Sequence, residues 1–296
     1  MDFLNIKKSA IIAGRFSYDF LSYDFFASLP SVLVFAILLI MPLVNEFIYA
    51  FSTLTEAMSL DSIIFVLNDA LYVESFVRTV IYIVIDISIK FFIGLIAAVA
   101  LRQIRGYKFL WGLFLLPYTM PLVPALYVWY CMYHPAWGLL NYLVRSTGVT
   151  STVINFLGDP SIALYSLIWA HAWRFTPLWM TILLAGLFGI PEEYYESAKI
   201  DGATPTRTFF RITLPIIKRY LILNATLSLI WTSGEFVSIW VLTKGGPANS
   251  THVLGSYAYW YMMAGGNYHI AAAALVCAFP LLIVLITVFF RILRWR

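Results

Sequence analysis

The stretch that decides the fold is a polar segment between two long apolar runs, and it reads Ile190-Pro191-Glu192-Glu193-Tyr194-Tyr195-Glu196-Ser197-Ala198-Lys199-Ile200-Asp201-Gly202-Ala203-Thr204-Pro205. Pro191 suits the first position of a helix, and the glutamates after it complement the positive end of the helix dipole. Gly202 suits a helix end that needs a positive φ angle. Thr204 and Pro205 are typical of the N-cap and first residue of a second short helix. The segment predicts a helix–turn–helix elbow, here residues 191–215; the simpler alternative is one amphipathic helix at a membrane surface.

The chain on both sides of the elbow has the composition of a membrane protein. Hydrophobic residues make up 61% of its 296 residues, charged residues make up 11%, and the mean hydropathy is +0.84. Soluble domains carry about 25% charged residues, and a helix needs about 20 apolar residues to cross a bilayer. Apolar runs of that length lie at about Leu29–Phe51, Phe76–Leu101, Phe109–Tyr133, Ser161–Phe188, Tyr220–Leu242 and Ile270–Phe290. We therefore predict an all-α polytopic membrane protein with six transmembrane helices.

Basic residues are distributed unevenly between the loops that join these runs. The two termini, the second loop and the elbow carry most of the 19 Lys and Arg residues, among them Lys7, Lys8, Arg102, Arg105, Arg207, Arg211, Arg291 and Arg294. Because basic loops stay in the cytoplasm, both termini are predicted to be cytoplasmic. The predicted domains are a cytoplasmic segment, residues 1–28, and a six-helix membrane domain, residues 29–296. The net charge of +4 follows from this topology and indicates no nucleic-acid partner.

Two motifs resemble those of a known transporter family. Glu196-Ser197-Ala198, then Gly202 and Ile212-x-Leu214-Pro215, have the spacing of the EAA loop of binding-protein-dependent ABC importer permeases, with Ser197 in place of an alanine. Leu242-Thr243-Lys244-Gly245-Gly246-Pro247 is similar to the Leu-Thr-x-Gly-Gly-Pro of MalF/UgpA-like sugar permeases. The resemblance runs from about Phe76 to the C-terminus. It implies the transmembrane fold of a type I ABC importer.

The resemblance also implies a division of labour within a membrane complex. Such permeases work in the plasma or inner membrane with a second, MalG-like permease, two ABC ATPase subunits and an extracytoplasmic solute-binding protein. The residues implied to couple the elbow to the ATPase are Glu196, Ala198, Asp201, Gly202, Leu214 and Pro215. In that interface Glu196 would meet a basic group, Ala198 would permit close approach and Gly202 would allow the turn.

ATP and Mg are expected on the partner ATPase subunits rather than on this chain. The sequence contains no Gly-x-x-x-x-Gly-Lys-[Ser/Thr] phosphate loop, so ATP hydrolysis by that route is excluded. His171, His252 and His269 are scattered along the sequence, and no metal-ligand spacing is present. We predict a transport subunit with no enzyme activity, cofactor or metal of its own.

Polar residues inside the apolar runs are candidate solute ligands, because ionisable groups are costly within a membrane. Asn224, Ser228, Trp231, Thr232 and Glu235 recur at a spacing that predicts one face of a helix. His171, Arg174 and Leu178 share a face of the preceding run, and the two faces are expected to lie at similar depth. Asp86 and Lys90 are four residues apart and are predicted to neutralise each other.

The family resemblance, aligned outwards from the elbow, places solute contacts on Arg174, Phe175, Leu178, Ser228, Trp231, Thr232 and Glu235. It implies uptake of a carbohydrate, such as a disaccharide or oligosaccharide. The alternatives are a polyol or glycerol phosphate or, in a different class, a secondary transporter in which Asp86, Lys90 and Glu235 relay ions. A further alternative is that Arg174 and Glu235 form a buried ion pair that only joins two helices.

Overall fold

The computed structural model describes residues 3–52, 58–148 and 152–293 of the chain. Within those ranges the regular structure is helical, apart from an isolated bridge between Ser52 and Met58. In chain order the helices are α1 Phe3–Ala50, α2 Asp61–Asn68, α3 Ala70–Gln103, α4 Tyr107–Thr119, α5 Leu122–Met132, α6 Leu139–Ser146, α7 Ala163–Phe188, α8 Glu192–Ile200, α9 Pro205–Thr208, a π-helical turn Phe209–Thr213, α10 Leu214–Ser233, α11 Val237–Leu242, α12 Leu254–Met263 and α13 Tyr268–Leu293. The predicted all-α class is confirmed.

Several of these helices are long and apolar enough to cross a bilayer. Three segments pass that test alone, namely Ala27–Ala50 of α1, α3 and the continuous stretch Pro205–Ser233. Two more candidates are bent pairs, α4 with α5 and α7 with α8, so the described residues hold three spans, or up to five if each pair is one span. The sixth predicted run lies on α13, whose described apolar part is Tyr268–Val284. The exact number of six spans stays a prediction.

The third predicted span is broken near its centre. Helices α4 and α5 meet at an angle of 94° around Met120 and Pro121. Met120 has a ψ angle of 140°, the extended conformation that a residue before proline prefers. Pro121 has no N–H group with which to continue the helical hydrogen bonding. The run Phe109–Tyr133 therefore forms two short helices rather than the single predicted one.

The fifth predicted span is also interrupted, which changes the position of Glu235. Helix α10 ends at Ser233 and α11 begins at Val237, so Glu235 lies in the connection between them. Its Oε1 accepts a hydrogen bond of 2.7 Å from the backbone N–H of Ser238, one of the amides left free at the start of α11. The prediction that Glu235 continues the helical stripe of α10 is therefore wrong.

The centre of the fold is helix α3 packed along α7. Gly94 of α3 makes the approach close, because a Cβ there would lie only 3.0 Å from the Cβ of Trp179. One apolar cluster, around Tyr82 and Leu167, lies on one side of the middle of this pair, and another, around Leu101 and Met180, lies on the other. The polar residues of α3, α7 and α10 meet between these two apolar layers.

The elbow has the predicted helix–turn–helix form. Pro191 is the N-cap of α8, so this helix begins one residue later than predicted. Gly202 has a φ angle of +68°, and the Thr204 hydroxyl oxygen accepts a 3.3 Å hydrogen bond from the N–H of Arg207 at the start of α9. The second helix is not a separate short one, because the π-helical turn Phe209–Thr213 joins α9 directly to α10.

Candidate functional site

A cluster of charged side chains is buried where α3, α7 and α10 meet. Asp86 lies at its centre and forms an ion pair with Lys90, one turn further along α3; both side chains are almost fully buried. The second contact of Asp86 is a 2.9 Å bond between its Oδ1 and Nδ1 of His171. Its Oδ2 accepts a 3.0 Å hydrogen bond from the Thr232 hydroxyl of α10. The predicted Asp86–Lys90 pair is confirmed, and it belongs to a larger group.

His171 connects this pair to the broken fifth span. Its Nε2 lies 3.3 Å from Oε2 of Glu235, while its Nδ1 faces Asp86. A neutral imidazole has one N–H group, whereas an imidazolium has two and donates to both carboxylates. The geometry therefore fits a protonated His171. In that state Asp86, Lys90, His171 and Glu235 carry two negative and two positive charges, and we call these four side chains the buried array.

Arg174 lies one turn from the array along α7. Its hydrogen-bond partner is a backbone carbonyl and not the Glu235 carboxylate. Its Nη2 donates a 3.1 Å hydrogen bond to the carbonyl of Met120, at the kink between α4 and α5. The guanidinium lies 4.9 Å from the ring centre of Phe175 and 5.9 Å from that of Tyr118. The supposed Arg174–Glu235 ion pair is not formed among the described residues, because Glu235 faces His171 instead.

The predicted solute ligands fall into two groups in the structure. The first group has side chains that are at least partly exposed and comprises Arg174, Phe175, Leu178 and Trp231. Trp231 is 47% exposed, and its ring centre lies 6.1 Å from that of Phe175, so α10 and α7 present an aromatic pair. This group can contact a molecule that enters between the helices.

The second group is enclosed and already bonded within the chain. Ser228 is 3% exposed and accepts a 2.6 Å hydrogen bond from Nε1 of Trp179. Thr232 donates to Asp86 of the buried array, and Glu235 is itself a member of the array, bonded to His171. Asn224, on the same stripe, donates a 3.2 Å hydrogen bond to the carbonyl of Trp179. In this conformation the enclosed residues hold helices together and support the exposed aromatic pair.

The elbow presents one face to its own chain and another to solvent. Ala198 is 6% exposed and packs inward, and Leu214 is half-buried. The residues of the predicted coupling set that remain exposed are Glu196, Asp201, Gly202 and Pro215. Ile200 is 87% exposed, a large apolar side chain that sequence reasoning did not select. The close approach to the ATPase expected of Ala198 stays a prediction.

The chain matches the family described as binding-protein-dependent transport system inner membrane component over residues 90–296. It belongs to this family. The permease is therefore a multi-pass membrane component of an ABC importer, and its substrate-translocating role follows from membership rather than from any catalytic residue.

Named relatives of the permease include sugar transporters. It is 33% identical to the trehalose/maltose transport system permease protein MalF of Thermococcus litoralis over 219 residues, covering 74% of this chain and 73% of the relative. It is 32% identical to the xylose/arabinose import permease protein XacH of Haloferax volcanii over 166 residues, covering 55% of this chain and 52% of the relative.

Solved structures resemble the permease over almost its whole length. A chain of a bacterial ABC transporter involved in the import of the acidic polysaccharide alginate matches with a TM-score of 0.82 and 21% identity, covering 96% of this chain and 98% of that one. The same kind of transporter in complex with an alginate pentasaccharide-bound periplasmic protein matches with a TM-score of 0.81 and 20% identity, covering 95% and 96%. At this identity the matches establish the shared fold, which confirms the predicted ABC importer transmembrane fold.

Sequence reasoning about the permease missed the role of His171. The residue was recognised on the face of Arg174, but its two partners lie on α3 and beyond α10, far away in the sequence. Tyr118 was missed because the kink that brings it to Arg174 depends on how the third span breaks. The sequence signal available for His171 was a titratable residue within one apolar run and a carboxylate, Asp86 or Glu235, within each of two others.

Proposed function

We propose that the permease forms the solute pathway of an ATP-driven importer and takes up a carbohydrate, such as a disaccharide or oligosaccharide. The observation that carries the proposal is the aromatic pair Phe175–Trp231 beside the Arg174 guanidinium. Aromatic faces pack against the C–H surfaces of a sugar ring, and a guanidinium has several N–H donors for its hydroxyls. The sugar-transporting relatives support the same solute class.

The proposed complex contains partners that supply energy and solute. A second, MalG-like permease completes the pathway, two ABC ATPase subunits bind ATP and Mg, and an extracytoplasmic binding protein delivers the sugar. We place the elbow and both termini in the cytoplasm of a cell-membrane protein, on the distribution of Lys and Arg. This chain then needs no cofactor of its own. Family membership favours this arrangement over an ion-gradient-driven transporter.

The mechanism proposed for the chain is alternating access. ATP binding closes the ATPase pair, and the exposed face of the elbow, which includes Glu196, Asp201 and Gly202, moves with it. The helices then open the aromatic pair towards the binding protein, which releases its sugar there. The enclosed residues Ser228 and Thr232 position α10 during this step. Hydrolysis returns the pathway to the inward-facing state.

The test is uptake by the complete complex in proteoliposomes. Maltose, trehalose, xylose and arabinose are offered, each with its candidate binding protein and internal ATP. We expect uptake of one solute that requires both ATP and the binding protein. Trp231→Ala should raise the half-saturating concentration of loaded binding protein by about 2- to 10-fold, the scale of one lost aromatic contact.

The matched control is Trp169→Ala, a tryptophan of α7 that is 44% exposed and lines an apolar cavity of about 310 Å³ to which neither Phe175 nor Trp231 contributes. It should leave the half-saturating concentration close to that of the unsubstituted complex. Equal effects of the two substitutions would contradict the solute role of the aromatic pair. Ion-gradient-driven uptake by this chain without ATPase subunits would contradict the proposed function itself.

A further inference from the structure

We propose that Arg102 and Tyr195 are positioning residues that carry the movement of the elbow into helix α3, as a second coupling route beside the direct one into α10. The inference rests on the proposed function, because it concerns how ATP-driven movement reaches the pathway. It assigns a role to two residues outside the predicted coupling set.

Tyr195 is the side chain that connects the elbow to both routes. The Arg102 guanidinium, in the last turn of α3, lies 4.3 Å from the centre of the Tyr195 ring. The Tyr195 hydroxyl forms a 3.1 Å hydrogen bond with Oγ1 of Thr213, in the turn that precedes α10. One side chain of α8 therefore contacts the inner end of α3 and the inner end of α10.

Arg102 makes a second contact with the same helix of the elbow. Its Nη2 lies 3.5 Å from Oε2 of Glu192 in the first turn of α8. The Arg102 side chain is only 19% exposed, and a cation–π contact strengthens when its cation is partly removed from water. Two contacts one turn apart fix the orientation of α8 against α3 as well as its distance.

The π-helical turn before α10 would absorb the movement of the elbow if it were not held to α8. Phe209–Thr213 is π-helical, and such turns interrupt regular helical bonding and often mark functional sites. Thr213 is 5% exposed, and its hydroxyl meets that of Tyr195 in a partly buried position. The hydrogen bond joins the turn to α8. The elbow and the start of α10 then move together.

Helix α3 is suited to conduct the movement because it is long and continues to the buried array. It has 34 residues and is about 51 Å long at 1.5 Å per residue. Arg102 lies about three turns, or about 18 Å, from Lys90. A displacement of the inner end of α3 therefore shifts Asp86 relative to His171 of α7 and Thr232 of α10.

The test measures ATP hydrolysed per solute imported by the complete complex in proteoliposomes, with the solute identified by the uptake assay. Tyr195→Leu and Arg102→Gln should each raise this ratio about threefold, the change expected from one lost cation–π contact. Tyr195→Phe keeps the ring and loses only the hydroxyl, so its ratio should lie between those of Tyr195→Leu and the unsubstituted complex. The double variant should have a smaller effect than the two single effects combined, because the Arg102–Tyr195 contact is lost in both single variants.

Arg105→Gln is the matched control, since Arg105 is an exposed cation just beyond the end of α3. It should leave the ratio unchanged. A merely structural role of Tyr195 would lower the amount of assembled complex but leave its ATP-to-solute ratio as it was, and that result would overturn the proposal. Additive effects in the double variant would also overturn it. If the complex with Tyr195→Leu does not assemble, the ATP-to-solute ratios of Arg102→Gln and Tyr195→Phe test the proposal instead. Absence of ATP-driven uptake by the unsubstituted complex would refute the proposed function instead.

Discussion

Replacing Asp86 by asparagine removes the charge on which Lys90 depends, and the effect on stability follows from where the pair lies. Both side chains are almost completely enclosed, and the other two groups that Asp86 contacts are His171 and Thr232. Asparagine has nearly the same shape, but its single side-chain oxygen takes the place of only one of the two carboxylate oxygens, Oδ1 facing His171 and Oδ2 facing Thr232. The substitution therefore removes the charge with little change in size and leaves Lys90 buried without its paired carboxylate.

The expected loss is about 3–5 kcal/mol, because an uncompensated buried charge is strongly destabilising. Helix α3 contains its own control, the pair Glu74–Arg78, which has the same four-residue spacing with side chains 58% and 19% exposed. Breaking an exposed pair of this spacing with Glu74→Gln should cost only about 0.3–0.5 kcal/mol. The two substitutions compare one interaction in two environments.

Thermal unfolding of the purified complex in lipid nanodiscs is the measurement. At about 2–4 °C per kcal/mol, Asp86→Asn should lower the Tm by about 6–20 °C and Glu74→Gln by less than about 2 °C. Adding Lys90→Met to Asp86→Asn removes the stranded charge and should recover part of the loss. Similar Tm changes for Asp86→Asn and Glu74→Gln, or a double variant that falls by the sum of its single effects, would refute this account of the buried array.

Three further outcomes are expected. Gly202→Val should reduce ATP-driven uptake more than Gly202→Asn, because asparagine tolerates the left-handed φ of +68° better than a β-branched residue; equal uptake in proteoliposomes would argue against the need for that turn. Glu235→Ala should change solute selectivity in competition assays, and a lower Tm with selectivity intact would leave Glu235 only the structural contacts to His171 and Ser238. Burial, with a smaller contribution from Arg78, lowers the pKa of His252 in the loop before α12 from 6.5 to about 4. Since the neutral form is favoured in the fold, this loop should lose stability as the pH falls from about 6.5 to about 4. The measurement is the protection of the loop amides against hydrogen exchange, relative to their intrinsic exchange rate at each pH, and constant protection across this interval would contradict the assignment.

Local signals explain which parts of the elbow were predictable from sequence. Thr204 and Pro205 are adjacent residues whose capping roles depend on a few neighbouring dihedral angles, and Gly202 suits its positive φ for the same reason. The burial of Ala198 was not predictable in this way, because it depends on the packing of α8 within the folded chain and not on neighbouring dihedral angles. Sequence determines where this helix begins and ends more directly than which neighbours it meets.

The same distinction applies inside the membrane. Asp86 and Lys90 pair within one helix, so their four-residue spacing was sufficient to predict the ion pair from the sequence. The partner of Glu235 depends on a helix break after Ser233, which a continuous apolar pattern does not reveal. The partner of Arg174 is the Met120 carbonyl, which becomes available only because the third span bends at Pro121. Predictions failed where a backbone interruption redirected a side chain.

The placement of charges within the array has a consequence for how the protein is made. Each isolated charge at the centre of a membrane helix costs about 2.5–3.5 kcal/mol during insertion. Asp86 and Lys90 share helix α3, so this segment enters the bilayer with its charges already matched. His171 comes later in the chain and contacts Asp86 of α3, and Glu235 comes later still and contacts His171. The order of synthesis thus coincides with the order in which the buried charges acquire their counter-ions.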